Sequence, residues 1–213
     1  PHSYDTNYDW SWLNMGKPQG ANLIGFAGAV TVRDAPPSPQ RAHLFVAGND
    51  GNLWCRWSDG GAWHWLSMGK PQGANIRARM GAVTVMDTPT SPQRPHVFVE
   101  GNDFNLWCRW SDAAAWHWLN MGKPQGANII GSAGAVTVMD TPGSPQRPHV
   151  FVVGNDGNIW CRWSDGAAWH WLNMGKPQGA NIRTPLGAVA VRDTPTSPDR
   201  PHVFVEGNDF NLW

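Results

Sequence analysis

Two sets of residues stand out for the chemistry they could do. Arg77, Glu100, Phe104 and Trp107 form one; Arg183, Glu206, Phe210 and Trp213 form the other, each 106 residues after its counterpart. An arginine offers a planar fork of donors and a glutamate a charged acceptor, and charge-assisted hydrogen bonds are the stronger kind. An aromatic ring adds an apolar face on which the C–H face of a sugar stacks. Together these residue types suit a polyol. The competing reading is a structural Arg–Glu pair that staples two loops, which on an exposed surface contributes about 0–1 kcal/mol.

Both sets emerge from a comparison inside the chain. "GKPQGAN" begins at Gly16, Gly69, Gly122 and Gly175, a constant step of 53 residues. A period of that length marks propellers or solenoids. The repeats alternate. After "GAN" the first and third read "LIGFAG" and "IIGSAG", whereas the second and fourth read "IRARMG" and "IRTPLG". Ala47 and Val153 in one class stand where Glu100 and Glu206 stand in the other, and Gly51 and Gly157 where Phe104 and Phe210 stand. Arginine, glutamate and phenylalanine therefore occur together. The other class offers an apolar counterpart, suited to blade packing or to a methylated sugar.

The elements that must position these residues read as strands. In the second repeat, "GAVTV" (Gly81–Val85) is short and small, and "HVFVE" (His96–Glu100) alternates. "NLWCRWS" (Asn105–Ser111) and "WHWLNM" (Trp116–Met121) are aromatic and alternating, the period-two signal of strands. Four antiparallel strands per repeat predict an all-β, four-bladed β-propeller. The small strand suits the crowded axis, and the aromatic strands suit the wider space outside it. Alternation puts Trp107 and Arg109 on one face and Cys108 and Trp110 on the other. Most of the 15 tryptophans then fill the space between sheets. The turn "GNDGN" becomes "GNDFN" in the second and fourth repeats, so either the turn changes shape or a phenylalanine takes positive φ at a cost of about 1 kcal/mol.

The repeats run 16–68, 69–121, 122–174 and 175–213 completed by 1–15, one propeller domain over 1–213. Trp213 falls where Trp54, Trp107 and Trp160 fall, and "WSWLNMGKPQG" from Trp10 matches "WHWLSMGKPQG" from Trp63. The N-terminal segment is thus expected to close the last blade within one chain; two chains pairing into an eight-bladed ring is the alternative. "PHSYDTNYDW" replaces the usual sequence there, which makes that blade's opposite rim unlike the others.

Other constellations argue for structure. His43, His96, His149 and His202 recur once per repeat and are read as structural hydrogen-bonding groups, too far from the axis to share a metal. Asp34, Asp87, Asp140 and Asp193 end the inner strands, where a hard cation is the alternative to a structural role. Cys55, Cys108 and Cys161 share one context and no Cys-x-x-Cys spacing, as buried hydrophobes do. No nucleophile–base signature or metalloprotease motif is present, and carboxylates repeated around a ring suggest binding rather than turnover. No catalytic residue, metal or cofactor is expected. Sixteen basic and 16 acidic side chains leave no basic footprint for nucleic acid. No apolar run is long enough to span a bilayer. Location stays open between the cytoplasm and secretion without disulfides.

The unit "GNDGNLWCRWSDGAAWHWLNMGKPQGAN" resembles the repeat of bacterial seven-bladed fucose-binding propeller lectins, and more distantly that of tectonin-type lectins. The resemblance covers all four repeats. It implies a non-enzymatic, multivalent lectin that binds fucose or O-methylated sugars in shallow pockets between blades, with glycans or glycoconjugates as partners. Four repeats in place of seven change the tilt between blades. The alternative function is a protein-interaction propeller.

Overall fold

In the computed structural model, residues 12–25, 28–34 and 36–213 are described. They form fourteen strands in antiparallel sheets and, among the described residues, no helix. The first sheet holds β1 (Gly28–Val32), β2 (Arg41–Ala47), β3 (Leu53–Ser58) and β4 (Trp63–Gly69) in that order. The second holds β5 (Ile76–Val85), β6 (Arg94–Gly101), β7 (Leu106–Ser111) and β8 (Trp116–Gly122). The third holds β9 (Ile129–Val138), β10 (Arg147–Gly154), β11 (Ile159–Ser164) and β12 (Trp169–Gly175). β13 (Ile182–Arg192) and β14 (Asp199–Gly207) begin the fourth.

Each of the first three sheets is a meander of the four strands read from the repeat, and successive sheets pack through their small inner strands, β1 on β5, β5 on β9 and β9 on β13. The approach is close enough that a Cβ on Gly81 would lie 3.2 Å from the Ala135 backbone nitrogen. The core lies between blades. Phe45, Leu53, Cys55 and Met68 of the first sheet meet Val97, Val99 and Trp107 of the second. Phe98, Leu106, Cys108 and Met121 of the second meet Val150 and Val152 of the third. The alternation in "WCRW" therefore works as expected: Trp107 faces the preceding blade, whereas Cys108 and Trp110 face the following one.

The fourth sheet departs from the other three. After β14 only Leu212 and Trp213 continue, bridging back to Glu206 and Val205. Trp12–Met15, the described part of the segment expected to supply the outer strand, forms no strand, and Trp12 is fully exposed. Elsewhere the outer strand is held by the far half of the third, as in Cys108↔Leu119 and Trp110↔His117. By sequence that far half falls among residues 1–5, which lie outside the described residues.

Candidate functional site

The structure brings the arginine, glutamate and phenylalanine of each predicted set together. Arg77 and Glu100 are cross-strand partners on β5 and β6, and the Arg77 guanidinium donates to Glu100 Oε1 at 3.0 Å. The same guanidinium lies over the Phe104 ring, 5.1 Å from its centroid. Arg183 pairs with Glu206 and lies 4.6 Å from the Phe210 centroid. Phe104 and Phe210 both take φ of 61°, in turns that keep the shape of the glycine turns at Gly51 and Gly157, φ 78°. The phenylalanine tolerates the left-handed backbone, and its arginine covers one face of the ring.

The tryptophans of the two sets serve differently. Trp107 is buried in the core between the first two blades. Its indole N–H donates to Asp103, 3.2 Å away, as that of Trp213 donates to Asp209 at the same distance. Glu100 is only 3% exposed, whereas the Glu206 side chain is 27% exposed. On this rim an open pocket of about 480 Å³ sits between the third and fourth blades, where Ile130, Gly131 and Ser132 face Arg183, Thr184 and Pro185.

The opposite rim, where the Pro-rich loops and Ser-Asp turns lie, carries a recurring pocket. Between the second and third blades it measures about 570 Å³ and is lined by Asp87, Arg94, His96 and Trp110 from one blade and Arg147 and Trp169 from the next. Between the first and second it measures about 450 Å³, with Asp34, Arg41, His43 and Trp57 facing Trp116. The third junction repeats it with His149, Trp163 and Pro201, at about 440 Å³. All three fall within the roughly 300–1,000 Å³ of small-molecule sites.

Local sequence builds each wall. The histidine is the third residue of the second strand, two residues after the arginine that opens it, and its Nδ1 lies 3.1–3.2 Å from that arginine's carbonyl oxygen at His43, His96 and His149. A carbonyl only accepts, so Nδ1 carries the proton and Nε2 remains an acceptor. Burial pushes all three imidazoles below their ordinary pKa, which keeps them neutral at pH 7. His96 stacks on Trp110 at 5.9 Å, and Trp110 is tilted 4.8 Å from His117. His117 is anchored by Asp112 at 2.8 Å. The Ala115 N–H, His117 and the Ala114 N–H bring the Asp112 carboxyl down to about 2. The arginine pairs with the aspartate ending the inner strand: Arg41 with Asp34, Arg94 with Asp87, Arg147 with Asp140 and Arg200 with Asp193. The tryptophan of the next blade closes the far wall and meets the core edge-on, Trp116 against Phe45 and Trp169 against Phe98.

The first two pockets offer stacking faces, guanidinium donors, and carboxylate and imidazole acceptors in one open cleft. The sequence reading noticed the histidines and aspartates but kept them as structural groups or axial candidates. The aspartates are held by arginines of their own blade, and the histidines do bond the backbone while also lining a pocket. The overlooked signal is that His, Arg and two Trp recur together at the repeat step. Among the described residues no group of three or more His, Cys, Asp or Glu is placed to hold a metal ion.

No family model matches the chain, and a search of curated proteins finds no relative. Solved structures do resemble it. The chain has a β-propeller fold. A six-bladed fucose-recognising lectin from the fungus Aleuria aurantia matches 88% of the chain at 13% identity, with a TM-score of 0.57. A lectin from Burkholderia pseudomallei matches 87% at 23% identity, TM-score 0.57. A fucose lectin from Kordia zhangzhouensis, solved with methyl-fucoside, matches 70% at 15% identity, TM-score 0.54, over its whole length. The chain spans 56% of the Aleuria lectin and half of the Burkholderia one.

Proposed function

We propose that this protein is a non-catalytic, multivalent carbohydrate-binding protein for fucosylated or O-methylated glycans, and that the pockets between blades on the Pro-rich rim are its sites. The observation that carries this reading is the recurrence of one pocket at three successive junctions, with the same His, Trp and Trp around it at the first two. A sugar's C–H face stacks on tryptophan, and its hydroxyls reach the arginine, the aspartate and imidazole Nε2. Repeated weak sites gain strength when several engage one surface. The lectin neighbours support the reading. The four repeats are taken as four blades, with the N-terminal segment carrying by sequence what the fourth lacks.

The Arg/Glu/Phe rim is a second candidate, favoured by the open pocket beside Arg183. There Arg77, Glu100, Phe104 and Trp107, and Arg183, Glu206, Phe210 and Trp213, would hold the sugar. A glycan array that includes fucosylated and O-methylated glycans tests both. The pocket reading predicts binding that Trp110→Ala with Trp169→Ala weakens and Arg77→Ala with Arg183→Ala leaves unchanged. The reverse pattern moves the sites to the other rim. An array with no signal overturns the lectin reading and favours a protein-interaction propeller.

A further inference from the structure

On the Pro-rich rim, the junction between the second and third blades holds a second, smaller cavity of about 190 Å³. It lies where the inner strands β5 and β9 end. The residues that follow them, Met86 and Met139, line it together with Pro89, Gly143 and Gln146, and its surface is mostly apolar. Both methionine backbones are pinned by the following blade. Met86 N–H donates to Gln146 Oε1 at 3.0 Å, and Met86 O accepts from Gln146 N–H at 2.9 Å. Met139 bonds in the same two ways with Asp199, both at 2.9 Å. The loop beyond Met139 is closed by Ser144 Oγ, which donates to Thr141 O at 2.8 Å. The cavity is thus built into the clasp between the two blades.

The sequence sets this junction apart from the first and the third. At the methionine position the four repeats read Arg33, Met86, Met139 and Arg192, so of these three junctions only the second brings two methionines together. At the third, Arg192 stands in for the second methionine, and its guanidinium binds Asp199 at 2.8–2.9 Å. At the first, Arg33 stands in for the first methionine. Gly143 also belongs to its repeat alone, since Thr90 and Thr196 occupy the same place in the second and fourth. Gly143 takes φ of 83°, whereas neither threonine adopts positive φ. A Cβ at Gly143 would already reach Pro89, a wall of the cavity, at 4.0 Å.

This cavity adjoins the larger pocket of the same junction. Gln146 lines both, and Asp87 and Pro145 of the larger pocket are chain neighbours of Thr88 and Ser144 in the smaller. We infer that the second junction binds a glycoside whose sugar carries an apolar substituent of about aromatic-ring size. The sugar sits among His96, Trp110 and Trp169, and the substituent sits between Met86 and Met139. This rests on the sugar reading of the larger pocket. The size fits, since an apolar cavity of about 150 Å³ takes up benzene. The chemistry fits too: methionine is polarisable, adapts its shape and gains from contact of its sulfur with an aromatic ring. A sugar hydroxyl would find no strong partner between thioethers and a proline ring, so the cleft selects an apolar group. The first and third junctions, where an arginine replaces one methionine, give the substituent no such seat.

Calorimetric titration with methyl α-L-fucoside and with para-nitrophenyl α-L-fucoside tests this. The expected result is one site per chain that prefers the aryl fucoside by about tenfold, with the other sites binding both ligands alike. Met139→Arg places at this junction the residue that the first and fourth repeats carry, and it is expected to abolish the preference. Methionine-methyl NMR gives a reading that needs no variant. The Met86 and Met139 signals are expected to shift with the aryl fucoside and to stay in place with the methyl fucoside. Equal affinity for the two ligands overturns the inference and leaves the lectin reading standing. So does a preference shown alike at every site and kept by Met139→Arg, or a bound aryl fucoside that leaves both methionine signals unmoved. If neither fucoside binds, the lectin reading falls and the inference falls with it.

Discussion

Truncating the two rim arginines separates a structural staple from a binding site, because the two pairs differ in burial. Glu100 is 3% exposed beneath a half-exposed Arg77, so Arg77→Ala removes a charged donor from a carboxylate that water reaches poorly. A hydrogen bond to a charged group in such surroundings contributes about 1.5–3 kcal/mol. The guanidinium's place over Phe104 adds about 0.5–1 kcal/mol. The expected loss for Arg77→Ala is therefore about 2–4 kcal/mol. Arg183 and Glu206 are 51% and 27% exposed. Water compensates there, and Arg183→Ala is expected to cost about 0–1 kcal/mol for the pair and about as much again for the ring contact. Urea denaturation followed by tryptophan fluorescence measures both. Equal losses, or a larger loss for Arg183→Ala, would refute the argument that burial of the carboxylate sets the strength of the pair.

Other consequences are open to measurement. Phe104→Gly removes about 1–2 kcal/mol of left-handed strain and about 0.5–1 kcal/mol of cation–π contact, so its urea midpoint should stay level or rise slightly; a large fall would mean that the ring does more than cover its arginine. Burial holds His43, His96 and His149 below the usual histidine pKa, so the unfolded chain takes up protons that the folded chain refuses. Stability is then full above about pH 6.5 and declines as the pH falls from there towards the folded values. Urea midpoints at two pH values on either side check this, and a flat profile would contradict it. Burial raises the thiols of Cys55 and Cys161 to about 12 and that of Cys108 further, so a thiol reagent at pH 8 should label none of them until denaturant is added. Labelling of the native protein would show that the junction cores open.

Much of the fold could be read from the repeat itself. The step of 53 residues, the two faces of "WCRW" and the small inner strands led to the blades and to cores lying between them. Residues far apart were harder. Arg77, Glu100 and Phe104 were placed on one rim by the alternation of strand direction, and they do meet there. That the arginine would lie over the phenylalanine depends on side-chain angles that a pattern does not contain. The pocket on the other rim was missed because its walls belong to two different blades. His96 and Trp169 are 73 residues apart, and only the rotation between blades brings them together.

The most direct test of the central claim is a crystal structure of the protein with methyl α-L-fucoside. The account predicts the sugar between blades, stacked on Trp110 or Trp169 and within hydrogen-bonding distance of Arg94 or Nε2 of His96, with the equivalent position filled beside His43 and Trp116. Sugar seated against Arg77 and Phe104 instead, or pockets left empty at ligand concentrations that saturate binding in solution, would contradict it.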